Sequence, residues 1–218
     1  MAERIAIIDY GAGNLRSVAK ALETAAAGIN MDAQVIVTDS PSVAAKADRI
    51  VLPGVGAYGQ CATALRAIVG MEDTLGEFVS VKQRPFLGIC VGMQLLAMRG
   101  EERGSHQGLG WIPGNVVRLD PHDPALKVPH MGWSPVSMKL AGINHDALGK
   151  IEDGGEAYFV HSFHFECTNH SDLLATCDYG GPITAIIGRD NILGAQFHPE
   201  KSQHYGLSFL AAFLGWTP

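Results

Sequence analysis

The sequence is poor in the features that mark several large classes of protein. Only 17% of its 218 residues are charged, 7% are aromatic, and no apolar run is long enough to span a membrane. The formal net charge is −6, and basic residues form no stripe, which argues against a nucleic-acid-binding protein. The first residues also lack the long apolar core and the cleavage site of a signal peptide. We therefore expect neither a nucleic-acid partner nor a membrane partner.

Cysteine is scarce as well, with four residues at positions 61, 90, 167 and 177 and no CxxC spacing. Four scattered cysteines in a chain of this length are not a disulfide framework, which indicates a reduced, cytoplasmic protein. We expect Cys61, Cys167 and Cys177 to be small apolar core residues. Hydrophobic residues reach 47%, and no linker or charged block divides the chain. Residues 1–218 are therefore predicted to form a single domain.

The first half of the chain alternates short apolar runs with segments that carry apolar residues at helical spacing. Strands are predicted at 4–9, 33–38, 49–53 and 85–89. Helices are predicted at 14–25, from about residue 63, and from Cys90 to about Gly100. From 105 to 195, short runs between Gly, Pro and Asp turns predict β-hairpins. We predict an α/β fold: an open, mostly parallel sheet flanked by helices, with a β-rich second half.

Several distinctive segments follow the ends of predicted strands. In open α/β sheets, ligands bind beyond the carboxyl ends of the strands. Four segments leave strands at that edge, and they read DYGAGN, PGVGAYG, CVG and HPEKS. We therefore expect their side chains to converge on one site.

The segment GVGAYG, residues 54–59, matches the GxGxxG pattern after a predicted strand. This pattern can indicate a dinucleotide-binding loop, but Pro53 interrupts the junction and the first βαβ unit lacks the pattern. A tight structural turn is a second interpretation. A third is a loop whose exposed backbone N–H groups bind a developing negative charge.

The stretch Gly88-Ile-Cys90-Val-Gly92 has the G-x-nucleophile-x-G spacing of a nucleophile elbow, with cysteine in place of serine. Such a turn holds its central residue in a strained backbone conformation at a helix N-terminus, which stabilises a thiolate. The next N–H group, here that of Val91, points toward an oxyanion on the substrate. The chain contains 26 glycines, so a core cysteine between chance glycines explains the pattern equally well.

The segment QFHPE, residues 196–200, supplies a candidate base. A thiol nucleophile needs a base, and the base needs an orienting group. His198 and Glu200 lie two residues apart, so in an extended segment they project to the same side. Alone, the segment could be a surface turn; with the elbow, it gives a Cys–His–Glu constellation. The histidines in residues 130–133 and 161–164 lack metal-ligand spacing, and we predict no metal site.

The motifs GICVGMQLL, PGVGA and HPEKS resemble the nucleophile elbow, the oxyanion loop and the His-x-Glu segment of the class I glutamine amidotransferases. More narrowly, IDYGAGNLRSV, LPGVGAYGQC, VPHMGW and YFVHS are similar to a family of glutaminase subunits of histidine biosynthesis. This resemblance covers nearly the whole chain. Val91 and Phe163 depart from it, since the family often has leucine and tyrosine there.

The resemblance implies that Cys90 attacks the carboxamide carbon of L-glutamine, while His198, aligned by Glu200, transfers the protons. It implies no cofactor, and it implies a heterodimer with a separate (β/α)₈-barrel cyclase that receives the ammonia. The other implied residues are Gly54, Val55 and Val91 for the oxyanion hole, Gln94, Ser162 and Phe163 for the substrate, and Asn14, Trp133, Tyr158 and Lys201 for the partner interface. Two alternatives stay open: a glutaminase domain serving a different synthase, and a non-catalytic regulatory subunit.

Overall fold

The computed structural model describes residues 2–218, which form one large sheet, two small sheets and seven α-helices. The strands are β1 Glu3–Ile8, β2 Ala33–Thr38, β3 Arg49–Gly54, β4 Phe86–Cys90, β5 Arg99–Gly100, β6 His106–Gln107, β7 Gly114–Arg118, β8 His130–Pro135, β9 Ser137–Met138, β10 Glu156–His161, β11 Phe163–Cys167, β12 Leu173–Asp178, β13 Pro182–Arg189 and β14 Ile192–Ala195. The helices are α1 Leu15–Gly28, α2 Pro41–Ala44, α3 Tyr58–Ala67, α4 Met71–Ser80, α5 Val91–Gln94, α6 Leu140–Ile143 and α7 Gln203–Gly215. Short 3₁₀ turns cover His170–Asp172 and Pro199–Lys201.

The large sheet has eight strands in the order β2-β1-β3-β4-β14-β13-β12-β9. The first five run parallel, and the last three pair antiparallel. Every residue of the central strands β3, β4 and β14 is buried. Because successive side chains of a strand point to opposite faces, both faces of this central region are covered. The predicted α/β fold with a sheet flanked by helices is confirmed.

The first and last helices of the chain pack against each other. Helix α1 buries an apolar face and packs against the C-terminal helix α7. At the end of α7, the buried guanidinium of Arg49 donates hydrogen bonds to the carbonyls of Phe213, at 3.2 Å, and Trp216, at 2.7 Å. This side chain therefore adds to the backbone hydrogen bond that the Trp216 N–H already gives the Phe213 carbonyl at the end of the helix.

Two predicted helices differ from the structure. The helix expected from about residue 63 begins earlier, at Tyr58, where the Glu102 carboxylate accepts a hydrogen bond from the Tyr58 N–H at 2.8 Å. The helix expected from Cys90 to Gly100 ends at Gln94. The chain leaves it because Met98 and Glu101 donate backbone hydrogen bonds to strand β7, which the local sequence does not reveal.

The β-rich second half is present as predicted: β9, β12, β13 and β14 complete the large sheet, and the remaining strands form two small sheets. Strands β10 and β8 make an antiparallel pair, and β11, β7, β5 and β6 form a four-stranded sheet. The pair β10–β8 ends at His161 and His130, next to the segment that leads into β11. Across residues 2–218, every helix is too short or too polar to cross a membrane.

Candidate active site

Cys90 stands at the sharp junction between β4 and α5. Its φ of 53° and ψ of −111° put a non-glycine residue in a strained backbone conformation. The neighbouring glycines make this turn possible. A Cβ atom on Gly88 would lie 2.7 Å from the Gly92 carbonyl oxygen, and one on Gly92 would collide with the Leu52 carbonyl oxygen. The local sequence therefore folds into the strand-turn-helix geometry that the elbow motif predicts.

His198 and Glu200 form a buried pair after strand β14. The His198 Nδ1 atom lies 2.8 Å from the Glu200 Oε1 atom, and the two side chains are only 3% and 2% exposed. The segment is a 3₁₀ turn over Pro199–Lys201, so the expected extended conformation is wrong. The tight turn still brings the side chains together, because Pro199 favours its first position and the Ser202 hydroxyl bonds back to the His198 carbonyl at 2.6 Å.

Cys90 and His198 share one cavity of about 330 Å³. They come together because β4 and β14 are adjacent parallel strands, with Ile89 opposite Ala195. The His198 Nε2 atom is buried and makes no regular hydrogen bond within residues 2–218. Burial lowers the pKa of His198, but hydrogen-bond and charge interactions with the Cys90 sulfur and the Glu200 carboxylate outweigh it and raise the pKa to about 9. The site therefore favours the protonated form of the ring.

The glycine loop after β3 lies against the nucleophile. Gly54 is opposite Cys90 in the β3–β4 pairing, and a Cβ atom on Gly54 would lie 2.8 Å from the backbone nitrogen of Gly92. Val55 and Gly56 line the cavity beside Val91. The three residues predicted for an oxyanion hole therefore lie around Cys90.

Two protonated side chains hold this loop by hydrogen bonds to its backbone carbonyls. The Tyr10 hydroxyl donates to the Pro53 carbonyl at 2.7 Å, and the Cys61 thiol donates to the Val55 carbonyl at 3.5 Å. Burial, helped by Cys61, raises the pKa of Tyr10 well above its usual range. Burial also raises the pKa of Cys61 to about 11, so both groups keep the proton that they donate. The carbonyls on each side of the Gly54–Val55 peptide are thus fixed, whereas the peptide between them is not held by these bonds.

The residues predicted to bind substrate meet at this cavity and are here called the substrate wall. Gln94, Ser162 and Phe163 all line it. The Gln94 side-chain nitrogen donates to the Phe163 carbonyl at 2.9 Å and to the Gln196 Oε1 atom at 3.1 Å. Gln196 in turn donates to the Cys90 sulfur at 3.7 Å. These contacts connect the substrate wall to the nucleophile.

Three of the four residues predicted at an interface form one surface cluster beside the cavity. Trp133 and Tyr158 are opposite each other on β8 and β10, with ring centroids 5.9 Å apart. The Lys201 ammonium lies 5.8 Å from the Tyr158 ring centroid, and Lys201 also lines the cavity. Asn14 stands apart from these contacts, exposed at the start of α1 without a side-chain capping bond.

The structure adds cavity residues that sequence reasoning missed. Glu102, Pro129 and His161 line the cavity, and Gln196 contacts Cys90 from the buried interior. Glu102 sits in a run of charged residues with no pattern around it, so nothing in the sequence distinguishes it from a solvated charge. Within residues 2–218, no three His, Cys, Asp or Glu side chains converge as a metal site would require.

The geometry above agrees with comparisons to known proteins. The model of the family "Glutamine amidotransferase class-I" matches residues 6–214. The chain therefore belongs to the class I glutamine amidotransferases, and the expectation that it is an enzyme is confirmed.

Curated relatives narrow this assignment. The proteins named "Imidazole glycerol phosphate synthase subunit HisH" from Rhodospirillum rubrum and Agrobacterium fabrum are 54% and 53% identical to this chain; each alignment covers 99% of the chain and 100% of the relative. The protein of the same name from Zymomonas mobilis is 56% identical over 98% of this chain and 96% of its own. The resemblance to the HisH glutaminase subunits is thereby confirmed.

Solved structures agree on the fold. A crystal structure described as glutamine amidotransferase superimposes with a TM-score of 0.69 at 16% identity and covers 96% of this chain and 98% of its own. A glutamine amidotransferase from Thermotoga maritima gives a TM-score of 0.64 at 19% identity, over 92% of this chain and 77% of its own. At these identities, the likeness concerns the fold alone.

Proposed function

We propose that this chain hydrolyses L-glutamine to glutamate and ammonia through a triad of Cys90, His198 and Glu200. One observation carries the proposal: a cysteine in strained conformation at a strand-to-helix turn shares a cavity with a buried His–Glu pair. If Cys90 were only a core residue and residues 196–200 only a surface turn, the two features would have no reason to occur together. The intact constellation also weighs against a non-catalytic regulatory subunit.

In the first half of the reaction, the Cys90 thiolate forms a bond to the carboxamide carbon of glutamine. The carbonyl electron pair moves onto oxygen, where the N–H group of Val91 and those of the Gly54–Val55 segment stabilise the charge. The C–N bond then breaks, and the His198 imidazolium gives its proton to the leaving nitrogen, which departs as ammonia. A pKa of about 9 keeps His198 protonated for this step.

In the second half, water attacks the γ-glutamyl thioester. The neutral His198 ring takes a proton from this water, while Glu200 holds the Nδ1 side of the ring and so fixes its orientation. The carbon–sulfur bond breaks, glutamate leaves, and the thiolate and imidazolium are restored. No redox or external group is needed for either half.

The cavity offers separate contacts for the two ends of an amino acid. Its volume of about 330 Å³ is at the lower end for small-molecule sites, which suits one amino acid. The Phe163 carbonyl already accepts hydrogen bonds from Gln94 and His161, and the Ser162 carbonyl accepts one from the Leu119 N–H. Glu102 places a carboxylate in the lining of the cavity, so we assign the α-ammonium group to it and the α-carboxylate to the backbone N–H groups of the 162–163 segment.

The ammonia would pass to a separate (β/α)₈-barrel cyclase that makes imidazole glycerol phosphate and aminoimidazole carboxamide ribonucleotide in histidine biosynthesis. The names of the relatives, which call each a synthase subunit, support this partnership. We place the interface at Trp133, Tyr158 and Lys201, beside the cavity, and include Asn14 at its edge. We also propose that residues 1–218 act as a single domain and that the protein is cytoplasmic, which its four free cysteines support.

A glutaminase assay tests the proposal. Glutamate formation is measured for the chain alone, with the cyclase subunit, and with the cyclase and its nucleotide ligand. We expect the highest rate in the last mixture and its loss in Cys90→Ala, while the matched control Cys167→Ser keeps the wild-type rate. A rate of glutamate formation that the cyclase does not change would favour a different synthase partner. Full activity of Cys90→Ala would refute the triad.

A further inference from the structure

Two buried histidines outside the triad face each other beside the substrate wall. His130, on β8, and His161, on β10, occupy opposite positions in the antiparallel pair and are 1% and 6% exposed. Their ring nitrogens, His130 Nδ1 and His161 Nε2, lie 3.2 Å apart. The proposed reaction assigns neither ring a role.

The contacts of these rings fix where each proton lies. The His161 Nδ1 atom is 2.9 Å from the Phe163 carbonyl oxygen, which can only accept, so Nδ1 carries the proton. The Nε2 atom of neutral His161 is then an acceptor, and the His130 Nδ1–H group donates to it. His130 Nε2 must accept in turn, from the Ser134 hydroxyl at 2.9 Å. Both rings are thus assigned to the Nδ1–H tautomer.

The same carbonyl links the histidines to the nucleophile. The second acceptor position of the Phe163 carbonyl receives the Gln94 side-chain N–H, at 2.9 Å. Gln94 donates its other N–H to Gln196, at 3.1 Å, and Gln196 donates to the Cys90 sulfur, at 3.7 Å. Every donor and acceptor in this series has a compatible partner. The hydrogen bonds therefore run without interruption from Ser134 to Cys90.

The surroundings keep both rings neutral. Burial lowers the pKa of His130 to about 4, and the rings of Phe159 and Tyr179 stack on it with centroids 4.8 and 4.0 Å away. Burial also lowers the pKa of His161 to about 3, with His130, His164 and His198 as the titratable neighbours that act on it. A proton added to His161 Nε2 would face the N–H group of His130 Nδ1, so the contact would hold two donors and no acceptor. The series of hydrogen bonds therefore depends on the neutral tautomers.

We infer that His130 and His161 are positioning residues for glutamine binding. They hold the Phe163 carbonyl, which in turn orients Gln94 and the segment of residues 162–163 that lines the cavity. The inference rests on the proposed function, because it names the residues that shape the same site. Loss of this series of hydrogen bonds should weaken substrate binding in the ground and transition states alike. It should therefore raise KM more than it lowers kcat.

A matched pair of variants tests this assignment. In His130→Asn the amide nitrogen occupies about the place of Nδ1 and can still donate to His161, whereas in His130→Gln the amide reaches the place of Nε2 instead. Both variants lose the same stacking on Phe159 and Tyr179. In the complex with cyclase and nucleotide, we expect KM for glutamine to be about tenfold higher in His130→Gln than in His130→Asn, with kcat values within about threefold. Equal KM values would overturn the positioning role.

The tautomers provide a readout that needs no activity. Nitrogen-15 NMR of the folded wild-type chain distinguishes a protonated Nδ1 from a protonated Nε2 by chemical shift. We expect the Nδ1–H form for both His130 and His161 at pH 7. An Nε2–H form in either ring would overturn the series of hydrogen bonds. Absence of glutaminase activity in the wild-type complex would instead refute the proposed function and leave this result standing.

Discussion

Gly54 and Cys90 lie side by side at the ends of two adjacent parallel strands, β3 and β4. This pairing places the glycine loop against the sulfur that the proposal makes the nucleophile. The space around Gly54 is full, because a Cβ atom there would lie 2.5 Å from the Tyr10 hydroxyl and 2.8 Å from the Gly92 nitrogen. The geometry of the site therefore depends on the absence of one methyl group.

The first prediction concerns this glycine. We expect Gly54→Ala to lower the free energy of unfolding by about 1–3 kcal/mol and to reduce kcat/KM at least tenfold, because the loop must move away from Tyr10 and from the turn that follows Cys90. Denaturant unfolding and the glutaminase assay measure the two effects. The control is Gly76→Ala in helix α4, where a Cβ atom would meet nothing within 4 Å. In that variant the free energy of unfolding should rise by about 0.5–1 kcal/mol and the activity should stay the same. Equal behaviour of the two variants would contradict the close packing around Gly54.

The second prediction concerns the buried ion pair. Glu200→Gln removes a charge that raises the pKa of His198, so NMR titration should show a lower pKa than the value of about 9 in the wild type. The rate of glutamine hydrolysis should fall about a hundredfold or more, because the ring loses its orientation and its proton. An unchanged His198 titration in Glu200→Gln would show that the carboxylate does not support the imidazolium.

The same pair makes stability depend on pH. The folded pKa of His198, about 9, exceeds its ordinary value of 6.5, so folding is favoured by the bound proton. This contribution is fully present below about pH 6.5 and is lost as the pH rises through about 9. The free energy of unfolding should fall over that range, and less steeply in Glu200→Gln. Equal slopes for the two proteins would contradict the assignment.

The third prediction concerns the Tyr10 hydroxyl, which donates a hydrogen bond to the glycine loop. Tyr10→Phe leaves the buried Pro53 carbonyl without its donor, and we expect a loss of about 1–3 kcal/mol in the free energy of unfolding. The matched control is Tyr205→Phe, because the buried Tyr205 hydroxyl has no hydrogen-bond partner within residues 2–218. That variant should be as stable as the wild type or more so. Equal losses in both would show that the Tyr10 hydrogen bond contributes nothing specific.

Tyr10→Phe also tests how the oxyanion loop works. Gly54 and Gly56 give the loop backbone freedom, and Gly56 already has a φ of 115°. If the partner acts by reorienting a peptide of this loop, we expect it to be the Gly54–Val55 peptide, since Tyr10 and Cys61 hold the carbonyls on each side. In Tyr10→Phe this restriction is relaxed, so we expect the ratio of glutaminase rates with and without cyclase to change at least threefold. An unchanged ratio would contradict the restriction.

The sequence predicts the parts of the site that depend on local patterns. The elbow at Cys90 and the His198–Glu200 contact follow from residues at most two positions apart. The convergence of these segments follows from the rule that parallel strands present their carboxyl ends at one edge. Family membership required no contact information either, because the motifs cover nearly the whole chain.

The parts that could not be predicted depend on contacts between distant segments. Glu102 reaches the cavity because it caps helix α3, 44 positions away in sequence. The short helix after Cys90 ends because β7 offers backbone partners that appear later in the chain. The pairing of His130 with His161 depends on the register of β8 and β10. Neither the spacing of the histidines nor the amino-acid composition predicts that register.

The most direct test of the triad is to trap its covalent intermediate. The complex with cyclase and nucleotide is mixed with glutamine, quenched in acid during steady-state turnover, digested and analysed by mass spectrometry. We predict a γ-glutamyl group on the peptide that contains Cys90 and on none that contains Cys61, Cys167 or Cys177. Continued turnover with Cys90 unmodified, or a γ-glutamyl group on another cysteine, would contradict the account.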